Sequence, residues 1–86
     1  MSWDVVWTRP AVTDLRRLGR PTAERVRHAV RRLVEEDYGD VTRLQGVVPP
    51  EWRLRVGDWR VRFAYDFDTQ TIHVLRVRHR RDAYHD

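Results

Sequence analysis

The chain has 86 residues, a formal charge of +4 and no Cys, so a disulfide framework and a thiolate zinc site are both excluded. The length fits a single domain spanning residues 1–86, and 41% hydrophobic residues is too much for a disordered basic tail. No apolar run reaches the roughly 18 residues of a membrane span, and MSWDVVWTRP lacks a signal-peptide pattern, so a cytoplasmic protein with no membrane partner is expected.

All 17 basic residues are Arg. A GC-rich genome would spell positive charge this way, and so would a surface selected to grip phosphate with planar, permanently charged forks. Position must decide between the two.

At the amino terminus Trp3, Val5 and Trp7 alternate with Ser2, Asp4 and Val6, the period-two pattern of a short strand with one face in the core. Pro10 stands where a first helical turn would begin, Ala11, Leu15 and Leu18 follow at helical spacing, and Gly19 supplies a stop. Pro21 opens a second helix with the apolar stripe Val26, Ala29, Val30, Leu33 and Val34, closed by Tyr38 and Gly39. Its other face carries Arg25, Arg27, His28, Arg31 and Arg32, with Glu35 and Glu36 at the end where they oppose the helix dipole. That face reads as an ordinary solvated surface or as a nucleic-acid contact.

After Gly46 and the Pro49-Pro50 pair the pattern turns to strands. Trp52 to Val56 and Trp59 to Tyr65 alternate strictly across Gly57-Asp58, a two-residue hairpin with Gly at the positive φ of a II′ turn. Asp66 to Gln70 makes a looser turn, and Ile72 to Val77 is apolar on both faces, as expected of a strand in the middle of a sheet. The reading is α+β: an N-terminal strand, a two-helix hairpin, then a three-stranded antiparallel meander, forming one sheet with the helices on one face and a short C-terminal tail or helix.

The hairpin register carries the chemistry. A two-residue loop sets Val56 opposite Trp59, Leu54 opposite Val61 and Trp52 opposite Phe63 on the core face. It therefore sets Arg55 opposite Arg60 and Arg53 opposite Arg62 on the other. Like charges facing each other destabilise a sheet by a few tenths to about 1 kcal/mol per pair. Either each Arg swings to a nearby acid, with Asp58, Asp66 and Asp68 at hand, or the face is an anion site suited to nucleic-acid phosphates. The segment Arg76-Val77-Arg78-His79-Arg80-Arg81-Asp82-Ala83-Tyr84 adds charge, a His and a Tyr where the last strand leaves the sheet, forming a second wall.

On these residues the chain resembles the RelE/ParE superfamily of toxins from bacterial type II toxin–antitoxin modules. The likeness runs from Ala11-Val12-Thr13-Asp14-Leu15-Arg16-Arg17-Leu18 through Leu44-Gln45-Gly46 to the hairpin Trp52–Val61 and the segment Val77–Tyr84. RelE-type members are messenger-RNA endonucleases acting in the ribosomal A site; ParE-type members share the fold and poison DNA gyrase. The arginine hairpin, the Arg after His79 and the later Tyr resemble the RelE branch. The resemblance implies that Arg53 and Arg55 surround the cleaved phosphate, Arg60 binds it, Arg80 stabilises the transition state and Tyr84 stacks or transfers a proton. Two departures are that the basic positions are Arg where the branch often has Lys, and that Arg78 replaces the Gly common before His-Arg.

Such cleavage is attack by a ribose 2′-OH on its adjacent phosphate, which needs charge stabilisation, in-line positioning and proton transfer. Arginine serves the first two and cannot serve as a base at neutral pH. His79, Asp58, Glu51 and Tyr84 remain for the proton, and His79 alone has an unperturbed pKa near neutrality. Arg62, Arg78 and Arg81 are expected to bind RNA, and Arg25, Arg27, Arg31 and Arg32 the ribosome. No metal or cofactor is expected. The resemblance further implies a cognate antitoxin, RelB-like or of another family, and contact with operator DNA only through the antitoxin complex. The competing readings are a non-enzymatic gyrase inhibitor and a domain kept only for antitoxin or DNA binding.

Overall fold

The structure, a computed structural model, describes residues 3–82. The elements are β1 (Asp4–Trp7), α1 (Arg9–Leu18), α2 (Arg20–Glu36), β2 (Asp40–Arg43), β3 (Trp52–Val56), β4 (Trp59–Asp66) and β5 (Thr71–His79). The strands form one sheet in the order β1-β5-β4-β3-β2. Only the β1–β5 pair is parallel. Alternation gives this sheet one apolar face, where Leu54, Val61, Phe63, Ile72, Val74 and Val77 are buried. Ala11 and Leu15 of α1 and Val26, Val30 and Leu33 of α2 complete the same core, so both helices cover that face. The other face of the sheet has no covering layer among the described residues.

Local chemistry explains the joints. Thr8 leaves β1 by giving both its N–H and its hydroxyl to the Val74 carbonyl, at 3.1 and 2.7 Å, and a proline near the start of each helix pre-sets φ. At the end of α2, Asp37 takes a left-handed φ of 53°, its N–H bonds the Leu33 carbonyl and the Tyr38 N–H bonds that of Arg32. The two glutamates that oppose the dipole there are partly offset. Arg32 pairs with Glu36 at 3.3 Å and lies 3.8 Å over the Tyr38 ring.

Two expectations need correction. The sheet has five strands, because Asp40–Arg43 adds an antiparallel edge strand to β3 within what reads as connection. Its four residues include a single apolar side chain, Val41, which packs against the core, and one apolar residue is too few to show alternation. The strand with apolar residues on both faces, β5, is internal, yet β4 holds the centre. The register of β4 with β5 shifts between Arg62 and Phe63, leaving Leu75 without a partner. That bulge moves the buried positions from Ile72 and Val74 to Val77 and breaks the alternation. Of the expected tail or helix, residues 80–82 form a turn, and the remainder lies outside the described residues.

One polar contact anchors the layers. β1 stops at Trp7 whereas β5 runs on to His79, which would leave the outer edge of β5 without a strand partner. Asp14 of α1, only 6% exposed, fills that gap. Its carboxylate accepts the Val77 N–H at 2.9 Å and two N–H groups of Arg76 at 2.9 and 3.2 Å. Burial by itself pushes the Asp14 carboxyl up. The Arg76 hydrogen bond, the Val77 N–H and the charges of Arg76 and Arg78 outweigh it and hold the group below its ordinary 3.8.

Asp14→Ala is expected to cost about 2 to 3 kcal/mol of unfolding stability at neutral pH, since a buried N–H and a guanidinium lose their acceptor. A depressed carboxyl contributes fully above its unfolded pKa of about 4 and loses that contribution as pH falls through the lower folded value. Urea unfolding should therefore show the gap between the native protein and Asp14→Ala closing as the pH is lowered from 5 toward 2.

Candidate functional site

The site is built on the β3–β4 turn. Gly57 takes φ 57° and Asp58 does not, the II′ combination whose twist matches the strands. A Cβ at Gly57 would lie 3.0 Å from Nη2 of Arg25, so the α2 arginine lies directly against the turn. The register is the one that the loop length dictates: Arg55 pairs with Arg60 and Arg53 with Arg62. β5 extends both rows, with Arg78 opposite Arg60 and Arg76 opposite Arg62. Six arginines thus share the face away from the helices in two rows of three, spaced about 4.8 Å within a row and about 7 Å between rows.

The relief of like charge differs from the expected one. Among the described contacts, none joins Asp58, Asp66 or Asp68 to a hairpin arginine. Asp66 caps its own turn, its Oδ1 accepting the N–H groups of Asp68 and Thr69, and the Thr69 bond lowers its pKa from the ordinary value. Glu51, two residues before Arg53 and on the same face, accepts Nε and Nη2 of Arg62 at 3.0 and 2.6 Å. Asp14 draws Arg76 around the sheet edge. Arg60 turns along its own hairpin, its Nη1 donating to the Gly57 and Trp59 carbonyls at 2.8 and 3.0 Å. Arg55 is exposed, and Arg53 and Arg78 are half-buried.

Arg80 joins this cluster from the far end of β5. Its N–H bonds the Asp58 carbonyl at 2.8 Å, and its guanidinium Nε stands 3.7 Å from the Asp58 carboxylate, both side chains being exposed. The turn therefore gathers Arg25, Arg60 and Arg80 from three separate elements.

His79 is held elsewhere. It pairs with Trp59, on the core side of the sheet, and the two rings meet edge to face at 5.3 Å. Its Nδ1 accepts the Arg81 N–H at 3.2 Å. Strand alternation puts this imidazole on the face opposite Arg55 and Arg60, although at the open edge of β5 it lines one small cavity with Arg76 and Arg78. Tyr84 lies outside the described residues. Of the α2 arginines only Arg25 reaches the turn; Arg27 pairs with Glu24 at 2.5 Å and Arg32 with Glu36, and with Arg31 they belong to the helix layer on the far side of the sheet.

Sequence reasoning placed Arg76 only within the charged segment at the end of the last strand, gave Asp14 no role and did not pair Glu51 with Arg62. A signal existed for each acid. Asp14 falls three residues after Ala11, on the apolar stripe where a charge needs a partner, and Glu51 shares the period-two phase of Arg53 and Arg55. Among the described residues no group of three or more His, Asp or Glu side chains converges as a metal site would require.

A family model described as the ParE toxin of the type II toxin–antitoxin system parDE matches residues 5–84. The chain belongs to this toxin family. The fold is shared with solved RelE toxins. The RelE–RelB complex of Pyrococcus horikoshii OT3 is 25% identical with a TM-score of 0.76, covering 93% of this chain and 97% of that one. The RelBE2 complex of Mycobacterium tuberculosis is 26% identical with a TM-score of 0.74, covering 92% and 99%. A free-state mutant of the E. coli toxin RelE, 16% identical with a TM-score of 0.75 and covering 98% and 90%, shows the fold alone. No curated protein matches the chain in sequence. The chain is a toxin of the RelE/ParE superfamily, from a type II toxin–antitoxin module.

The Glu51–Arg62 pair generates a test of the array's charge. Glu51→Gln removes a carboxylate from the arginine face, so affinity for a short fluorescent single-stranded RNA should rise and its salt dependence should steepen, by about 0.7 in the slope of log K against log salt. Anisotropy titrations across a salt series measure both.

Proposed function

We propose that this toxin is a ribosome-dependent endoribonuclease that cleaves translated mRNA in the ribosomal A site and so inhibits translation. The observation that carries the reading is the double row of arginines on the uncovered sheet face, extended by Arg80 at the turn. A protein that acts by binding gyrase has no evident need for guanidinium groups converging on one phosphate. In the proposed reaction the ribose 2′-oxygen attacks the adjacent phosphorus, the bond to the 5′-oxygen breaks, the 2′-OH proton passes to a base and the leaving oxygen takes one up. Arg53, Arg55 and Arg60 hold the phosphate oxygens, Arg80 meets the charge that develops on them, and Tyr84 stacks on a base or moves a proton. Arg62, Arg78 and Arg81 bind the flanking RNA, while Arg25, Arg27, Arg31 and Arg32 face the ribosome.

The proton is better served by Glu51, which shares the arginine face, than by His79 across the sheet. A ribosome that orients the 2′-OH for in-line attack lowers the demand on that base. The solved RelE–RelB complexes support a cognate antitoxin partner, which would cover part of the basic surface or displace the C-terminal segment, and through which alone operator DNA would be bound. The site of action is the cytoplasm. Gyrase inhibition without nuclease activity is the second reading, favoured by the ParE identity of the matched family model and by the position of His79 away from the arginine face.

Arg60→Ala and Arg80→Ala should each lower cleavage of ribosome-bound message by roughly 10² to 10³, the usual loss of one positioned donor from a water-poor site. Antitoxin binding and stability should change little, since neither side chain lies in the core. Arg60→Lys should rescue poorly, because an ammonium cannot reproduce the fork. Purified proteins assayed on programmed ribosomes, with gyrase supercoiling run in parallel, give the result; parental cleavage by Arg80→Ala would remove the assigned site and favour the gyrase reading.

A further inference from the structure

The arginines are segregated. Residues 1–8, 33–42 and 63–75 contain no Arg, yet carry Asp4, Glu35, Glu36, Asp37, Asp40, Asp66 and Asp68, seven of the 13 acids. The remaining 55 residues hold all 17 arginines. A uniform codon bias does not produce such a division. The fold brings parts of these three segments together at the end of the sheet remote from the Gly57 turn, where the Asp66–Gln70 connection, the start of β1 and the end of α2 meet.

There they form a groove of about 540 Å³. Its apolar side is an aromatic triad: Trp3 meets Tyr65 and Phe67 edge-on at 5.2 and 5.5 Å, and Tyr65 stacks with Phe67 at 5.6 Å. Phe67 is 68% exposed and continues the apolar surface of Trp3 and Tyr65 rather than standing alone. The end of α2 contributes Glu35, Glu36 and Asp37 to the same lining, of which Glu36 is paired with Arg32. Burial and the nearby Asp37 carboxylate both raise the Tyr65 pKa, so the acid side and the aromatic side act on one space. Among the described residues no arginine lines the groove.

We infer that this groove is a docking site for a basic peptide segment of a protein partner, one that places an Arg or Lys on the exposed aromatic faces and extends the charge to Glu35 and Asp37. Aromatic faces attract guanidinium and ammonium groups, and flanking carboxylates complete the match. Nucleic acid is excluded by the same charges. The site is separate from the arginine face and does not depend on what that face binds. A bound partner would therefore leave the arginine rows open, so the toxin can hold a basic protein at one end and a phosphate chain at the other.

The test is a titration of the ¹⁵N-labelled full chain with a peptide of alternating Arg and Leu, followed by amide and indole shifts, with an alternating Glu and Leu peptide as control. Shifts should concentrate at the Trp3 indole and at residues 35–37 and 65–67, and weaken with salt. Phe67→Ser, an exposed substitution that leaves the core intact, should reduce affinity at least fivefold, and Asp37→Asn about threefold with a shallower salt dependence. Equal binding of the acidic peptide, an absence of shifts at the groove, or shifts that track dilution of the toxin alone and so report a second copy as the occupant would each overturn the proposal.

Discussion

The constraint on which the molecule turns is the two-residue β3–β4 turn. Because side chains alternate along a strand, the positive φ of Gly57 fixes at once which residues enter the core and which stay out. Leu54, Val61 and Phe63 go to the helices; Arg53, Arg55, Arg60 and Arg62 go to the uncovered face. A slip of one residue would bury four guanidinium groups. The hydrophobic term that selects the register is therefore the same term that forces the arginines into opposition, and the cross-strand repulsion is a cost the core sustains. Arg25 against the turn and Arg80 bonded to the Asp58 carbonyl then make the turn the meeting point of α2, β4 and the end of β5.

The acids divide accordingly. Asp14 and Glu51 are spent within the fold, one closing the edge of β5 and the other holding Arg62, and both sit where a guanidinium would otherwise be poorly compensated. Asp4, Glu35, Glu36, Asp37, Asp66 and Asp68 lie at the remote end, three of them lining the aromatic groove. The net charge of +4 therefore conceals two poles. Long-range attraction of a polyanion acts on the arginine pole, and the acidic pole biases the orientation in which the toxin approaches it.

Much of this was legible in the sequence. The hairpin, its turn type and the pairing of Arg53 with Arg62 and Arg55 with Arg60 follow from loop length and alternation alone. The third column of the array was not, because Arg76 and Arg78 depend on a β4–β5 register that a loose turn leaves open and a bulge at Leu75 then shifts. The same register turns His79 toward Trp59, which makes the one imidazole expected to work in the site a packing partner on the core side. β2 escaped notice because a four-residue edge strand with one apolar side chain, Val41, carries no period-two signal. Asp14 lies on the apolar stripe of α1, but its partners follow only from the early end of β1, which gives its carboxylate an N–H to accept. Each miss concerns a partner distant in sequence, the part of folding that local pattern does not encode.

The central claim is that the arginine face works on the phosphate chain of translated message. Induction of the native toxin without antitoxin, followed by transcriptome-wide mapping of mRNA 5′ ends, tests it most directly. The account predicts new 5′ ends phased to codons and confined to translated regions. Intact messages accompanied by relaxed or cleaved chromosomal DNA would contradict it.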